Sequence, residues 1–134
     1  MADCVFCQIS SGVIPSFKVY EDDLVFAFLD NYPFSEGHTL IVPKKHYLDI
    51  TDIDINSYVA ISKVAKQLAA EYTNKLECDG FNLHNNSGEA AEQTVFHFHL
   101  HLVPRYKNDG IKFGGPSTTK PNVELKAVQK KLSL

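Results

Sequence analysis

Val95-Phe96-His97-Phe98-His99-Leu100-His101-Leu102-Val103 alternates apolar residues with three histidines. Alternation of this kind predicts a β-strand, because neighbouring side chains point to opposite faces and each face repeats every second residue. The three imidazoles then share one face, and Phe96, Phe98, Leu100 and Leu102 form the other, which anchors the strand to a core. At about 3.3 Å of rise per residue, successive histidines stand roughly 6.6 Å apart, close enough for one bound anion to touch two of them. Two plainer readings compete: histidines facing solvent on an ordinary strand, or a metal site built on a His-x-His pair. Half of the six histidines in the chain fall in this run. Imidazole titrates near neutrality and serves as nucleophile, acid or ligand, so three in register point to a working surface.

Around this strand the chain has the size of one domain: 134 residues bury a real core but are too few for two. A formal charge of −3 and an isoelectric point near 6.0 give no global attraction to nucleic acid, and no such partner is expected. Lys44, Lys45, Arg105 and Lys107 gather locally and read either as phosphate contacts or as solvated surface. Met1-Ala-Asp-Cys-Val-Phe-Cys7 has neither the basic nor the apolar stretch of a secretory leader, and no run of about eighteen apolar residues occurs. A cytoplasmic protein without membrane contact is the expectation. Three cysteines, an odd number, argue against a disulfide framework.

Lys18-Val-Tyr-Glu21 and Leu24-Val-Phe-Ala-Phe-Leu29 read as strands joined by a turn at Asp22-Asp23, and His38-Thr-Leu-Ile-Val42 as a third strand ended by Pro43. From Asp54 to about Lys75, Ile55, Tyr58, Val59, Ile61, Ala65, Leu68, Ala69 and Tyr72 recur at helical spacing, with Asp52 or Asp54 as N-cap. Gly80-Phe-Asn-Leu-His84 reads as a fourth strand and residues 85–92 as a loop leading into the histidine strand. Beyond Tyr106, Gly110, Gly114, Gly115, Pro116 and Pro121 make residues 107–121 loop-rich, and Asn122 can cap a short C-terminal helix within residues 122–134. Antiparallel strands with one intervening helix argue for an α+β domain in which the helix covers one face of the sheet.

His97 through Val103 meets the pattern His-Φ-His-Φ-His-Φ-Φ, with Φ apolar. With Phe26-Ala-Phe-Leu-Asp30, Gly37-His-Thr-Leu-Ile-Val-Pro-Lys-Lys-His46, Asn85-Asn86-Ser-Gly88, Gln93-Thr94 and Pro104-Arg105-Tyr106 in order, the chain resembles the histidine-triad (HIT) family of nucleotide hydrolases and transferases. The resemblance runs from about Cys4 to Tyr106. It implies a HIT domain over residues 1–106, with an antiparallel sheet of about five strands, one long helix and a short C-terminal helix. The remaining segments, 107–121 and 122–134, would belong to the same domain. The branch resembled is the bacterial one with an N-terminal Cys-x-x-Cys pair, close to nucleoside phosphoramidases.

Cys4-Val-Phe-Cys7 by itself reads as half of a zinc knuckle, as a redox motif or as two buried cysteines. A structural zinc site needs four ligands, and two sulfurs need two imidazoles to complete them. The resemblance implies Cys4, Cys7, His46 and His97 as that set, which leaves His99 and His101 for chemistry and Cys78 as a buried thiol.

The resemblance further implies His99 as nucleophile toward an α-phosphate, forming a covalent nucleotidyl-histidine, with His101 neutralising charge on the same phosphate. His38 would stand near the scissile bond. No Walker loop or Gly-x-Gly-x-x-Gly occurs, so phosphate would be held by the backbone and hydroxyl around Gln93 and Thr94 and by Asn86, with Asn85 leaving that register open by one. Asp30 would bind the ribose hydroxyls, although an aspartate ending a strand is otherwise a turn residue. Phe28, Asn31, Phe6 and Ile9 would surround a purine base. His84 matches no family site residue. Glu92 departs from the glycine-rich family loop, and its charge would narrow the range of anionic leaving groups. Three functions follow as expectations: a purine-nucleotide hydrolase releasing an amine or a nucleotide; a zinc-stapled nucleotide-binding module with a protein partner; and a zinc hydrolase liganded by His97, His99 and His101. The family resemblance also implies a homodimer.

Overall fold

Residues 3–114 and 124–133 are described by the computed structural model. Strands β1 (Lys18–Glu21), β2 (Val25–Leu29), β3 (Thr39–Pro43), β4 (Gly80–His84) and β5 (Leu100–Arg105) form one antiparallel sheet in the order β1-β2-β3-β5-β4. The β1–β2 turn forms because the Asp22 carboxylate accepts the N–H groups of Leu24 and Val25, each at 2.8 Å.

Every residue of β3 is buried, and β2 nearly so, because both faces of the sheet are covered. Val25, Ala27 and Ile41 face helix α2 (Ile55–Lys75), which offers Ile61, Val64, Ala65, Leu68 and Tyr72 at helical spacing. Asp54 caps this helix by accepting from Asn56 and Ser57, whereas the Asp52 carboxylate is spent on Leu48 N–H. On the opposite face Phe26, Phe28, Leu40 and Val42 meet Phe6 and Ile9 of a short helix, α1 (Val5–Ser10). Six residues give no periodic signal, so that helix was not legible in the sequence. A C-terminal helix, α3 (Leu125–Leu132), begins after Glu124, while Asn122 and most of the loop-rich stretch lie outside the described residues. No described helix is long and apolar enough to cross a membrane.

The histidine strand is shorter than the alternation predicts. Pairing with β3 reaches only to Leu100, and residues 95–97 bend. Phe98 N–H donates to the Tyr47 carbonyl at 2.7 Å, and His97 turns toward the N-terminal cysteines. Phe96, expected in the core, is consequently 50% exposed, while Phe98 and Leu102 are fully buried.

Candidate active site and metal centre

Strand registry builds the site. Phe28 pairs with Leu40, Leu40 with His101, and His101 with His84, so these four residues form a row across β2, β3, β5 and β4 on the α1 side of the sheet. His99 lies two residues before His101, its ring edge-on to Phe6 of α1 at 5.0 Å. A cavity of about 810 Å³ opens over the row. Its lining includes Phe6, Ile9, Phe28, Asp30, Asn31, Asn86, Thr94, His99, His101, His84, Phe34 and Phe113, with Phe28 and His84 at opposite ends of the row.

Hydrogen bonds fix the ring tautomers, since a carbonyl can only accept and a backbone N–H can only donate. His99 Nδ1 donates to the His97 carbonyl at 2.8 Å, which leaves the lone pair on Nε2. Phe34 N–H donates to His38 Nδ1 at 3.0 Å, so His38 Nε2 carries the proton and donates to His101 Nδ1, also at 3.0 Å. His101 is thereby left with N–H at Nε2. Burial pushes the His99 and His38 pKa values down, and burial followed by His99, His84 and His38 takes His101 to about 3. Burial also lowers His84, with His99 adding to it. All four are neutral at pH 7.

The remaining sequence assignments separate by position. Asn86 lines the cavity, whereas Asn85 Nδ2 donates to the His99 carbonyl at 2.9 Å. Gln93 is buried and its amide is fully engaged, accepting from Gly88 N–H and donating to Leu48 and Val95 carbonyls, so the side chain braces the loop. Asp30 Oδ1 accepts Tyr32 N–H in a turn, and the residue lines the cavity. His38 lies buried behind His101 and is not on the cavity wall. Lys44 pairs with Glu21 at 2.7 Å and Arg105 with Asp109 at 2.8 Å, and neither lines the cavity. Val5, Phe34, Leu40 and Phe113 are wall residues that sequence reasoning missed. Phe113 carried no periodic or motif signal.

Cys4, Cys7, His46 and His97 converge with all four ligand atoms within 4.8 Å of one another. Cys4 Sγ lies 3.3 Å and Cys7 Sγ 3.5 Å from His97 Nδ1, His46 Nδ1 lies 3.5 Å from Cys7 Sγ, and the two Nδ1 atoms are 3.2 Å apart. Tetrahedral zinc bonds of about 2.0–2.3 Å require ligand separations of about 3.3–3.8 Å, so the set fits that ion. His97 Nε2 donates to the Pro43 carbonyl at 2.8 Å, which aims the Nδ1 lone pair at the centre in the manner of a metal-bound imidazole. Burial takes the His97 pKa down to about 4 and, with Cys4 adjacent, raises that of Cys7, so paired thiolates here call for a cation.

Among the described residues, His97, His99 and His101 do not converge on one point. Asp30, His38 and His101 come close enough for a metal, but His38 Nε2 is committed as a donor.

A five-stranded antiparallel sheet carrying a histidine row beside a Cys₂His₂ cluster that could hold a metal defines a histidine-triad protein with an N-terminal Cys-x-x-Cys pair. The chain belongs to the HIT family: the HIT domain matches residues 11–108. It is similar to the crystal structure of a zinc-bound histidine triad family protein from Mycobacterium smegmatis, with 42% identity, a TM-score of 0.80 and coverage of 84% of this chain and 81% of that one. A histidine triad nucleotide-binding protein from Candida albicans is 34% identical, with a TM-score of 0.77 over 97% of this chain and 94% of its own. The adenylylsulfatase HINT3 of Arabidopsis thaliana is 39% identical over 107 residues, 80% of this chain and 54% of that protein.

Proposed function

We propose that the protein is a nucleotide hydrolase that cleaves at the α-phosphate of a purine nucleotide through a covalent nucleotidyl-His99. One observation carries this reading. The His99 Nδ1 proton is held by the His97 carbonyl, so a neutral ring offers its Nε2 lone pair in a cavity large enough for a nucleotide. That lone pair forms the N–P bond as the bond from phosphorus to the leaving group breaks; the leaving group departs with the electron pair and takes its proton from solvent in the open cavity, while His101 Nε2–H donates a hydrogen bond to the phosphate oxygens. Water then attacks phosphorus and gives up a proton to solvent, the N–P bond breaks, and its electron pair returns to Nε2, which regenerates neutral His99. Asn86, Thr94 and the backbone at Gln93 hold the phosphate, Asp30 the ribose, and Phe6, Ile9, Phe28 and Asn31 the base. His38 orients His101 from behind. The named activities of the Arabidopsis and Candida relatives support a nucleotide substrate. The leaving group is an amine or a second nucleotide.

Zinc held by Cys4, Cys7, His46 and His97 serves as scaffold, because four protein ligands leave no position for water. The zinc-bound mycobacterial neighbour supports that assignment. A cytoplasmic setting suits a site of free thiolates. Two chains pair as a homodimer through the outer edge of β4 and the exposed apolar residues of α2.

Incubation with adenosine 5′-phosphoramidate and trapping of acid-labile protein-bound AMP tests the reaction. The adduct forms in wild type and disappears in His99→Ala, with turnover down roughly a thousandfold or more and zinc content unchanged. A wild type that binds AMP without turnover refutes the hydrolase and leaves a zinc-stapled nucleotide-binding module.

A further inference from the structure

His84 is the one histidine without an assignment, and it lies where a substrate would continue past its α-phosphate. The row Phe28, Leu40, His101 and His84 crosses four adjacent strands. Strands spaced about 4.8 Å apart put His84 roughly 14 Å from Phe28 and one strand beyond His101. With the nucleoside between α1 and β2 and the phosphate at β5, the group attached on the far side of phosphorus lies over β4.

The ring of His84 is prepared for a ligand. It stacks on His101 with centroids 4.3 Å apart and planes 16° from parallel, and Phe113 leans against it at 5.4 Å. The other five histidines each have a hydrogen-bonding partner at a ring nitrogen, whereas those of His84 have none among the described residues. The ring is half-buried and lines the cavity. Arg105 at this end is already committed: it donates to Asn82 Oδ1 at 2.6 Å and is paired with Asp109. Glu92 lines the same cavity and is exposed to solvent.

We propose that His84 is a specificity-determining residue whose ring N–H donates to a tetrahedral oxyanion on the leaving group, a β-phosphoryl or sulfuryl group. The proposal rests on the nucleotide-hydrolase reading for where the α-phosphorus sits. Either tautomer of a neutral imidazole keeps one N–H, and a hydrogen bond to an ionised acceptor is about twice as strong as one between neutral groups. An amine leaving group presents no oxyanion and draws nothing from His84.

Calorimetric titration with AMP and ADP decides the point without turnover. Wild type is expected to bind ADP about tenfold more tightly than AMP. His84→Phe keeps a flat ring against His101 and Phe113 but removes both nitrogens, so it loses that preference while AMP affinity changes less than about twofold. His84→Gln, which retains an N–H donor, recovers part of it. In parallel, kcat/KM of His84→Phe for adenosine 5′-phosphosulfate falls about tenfold relative to adenosine 5′-phosphoramidate. A response confined to ADP or to the phosphosulfate identifies which oxyanion the ring reads. Equal weakening of AMP and ADP in His84→Phe, or an ADP preference and substrate ratio that both survive, overturns the proposal. A wild type that hydrolyses neither substrate defeats the hydrolase reading, and the AMP and ADP titrations still judge His84.

Discussion

Glu92 adopts φ 67° and ψ 28°, a left-handed conformation that glycine enters freely and a side chain with Cβ enters at a cost of about 1–2 kcal/mol. It closes the 3-10 turn Glu89–Ala91, and its N–H donates to the Glu89 carbonyl at 2.9 Å. The conformation belongs to the loop, because Gln93 clamps Gly88 on one side and Leu48 on the other. Strain held in place beside a binding cavity is a recurring mark of functional loops. Glu92→Gly should therefore stabilise the fold by about 1 kcal/mol, read as a rise of a few degrees in Tm. The same change removes a carboxylate from the cavity wall, so kcat/KM for substrates with anionic leaving groups should rise severalfold at low salt and converge on wild type as salt screens the charge. A lower Tm would show that the side chain makes a stabilising contact that offsets the strain.

Helix α1 depends on its surroundings, since six residues cannot sustain a helix in water. Its tether is the Cys4–Cys7 pair, and its payload is Phe6 and Ile9, which line the cavity at the end proposed to take the base. Chelating zinc, or replacing Cys4 and Cys7 with Ser, should lower Tm by many degrees and weaken AMP binding at least tenfold, checked by metal analysis beside titration. Unchanged AMP affinity in metal-free protein would separate the helix from the site. A second tether lies past β5, where Arg105 grips Asp109 through Nε and Nη2, both at 2.8 Å, and sits over the Phe113 ring at 5.5 Å. Arg105 and two backbone N–H groups hold the Asp109 pKa well below the usual carboxylate range. A depressed folded-state pKa contributes stability that is present above the unfolded value of about 3.9 and lost as pH falls. Asp109→Asn should lower Tm near pH 7, and the gap to wild type should close progressively below pH 4. At this scale the sequence was informative wherever a pattern was long: α2, the β1–β2 hairpin and β4 lie within a residue or so of their predicted bounds. The pull of His97 toward the cysteines, which ends the β5 ladder at Leu100, is a tertiary contact that alternation cannot encode. His84 stayed unassigned for the same kind of reason: its meaning comes from registry with His101, and strand order is invisible in local pattern.

The sheet ends in two edge strands among the described residues, β1 and β4. Strand β4 ends the sheet, so its outer N–H and C=O groups face no strand among the described residues. Helix α2, packed on β2, β3 and β5, exposes Ile55 at 66%, Val59 at 44% and Tyr58 at 37%, three residues on one helical face. Leu83 on β4 and Phe96 at the bend are about half exposed as well. Scattered apolar residues on a surface need no explanation, but a cluster next to an open sheet edge is a liability that proteins cover. A two-fold axis at the β4 edge would pair that strand with its copy, continue the sheet and bring the two α2 faces together, satisfying backbone and apolar surface at once. The same contact would stiffen the strand that carries His84. Sedimentation should give twice the 15.0 kDa mass of the chain. Val59→Asp should shift the protein toward monomer, because a charge buried in an apolar contact loses its hydration without a partner. AMP binding, which the proposed function assigns to α1 and β2, should persist in that monomer. A monomeric wild type at high micromolar concentration, or a Val59→Asp variant that stays dimeric, would exclude this face as the contact.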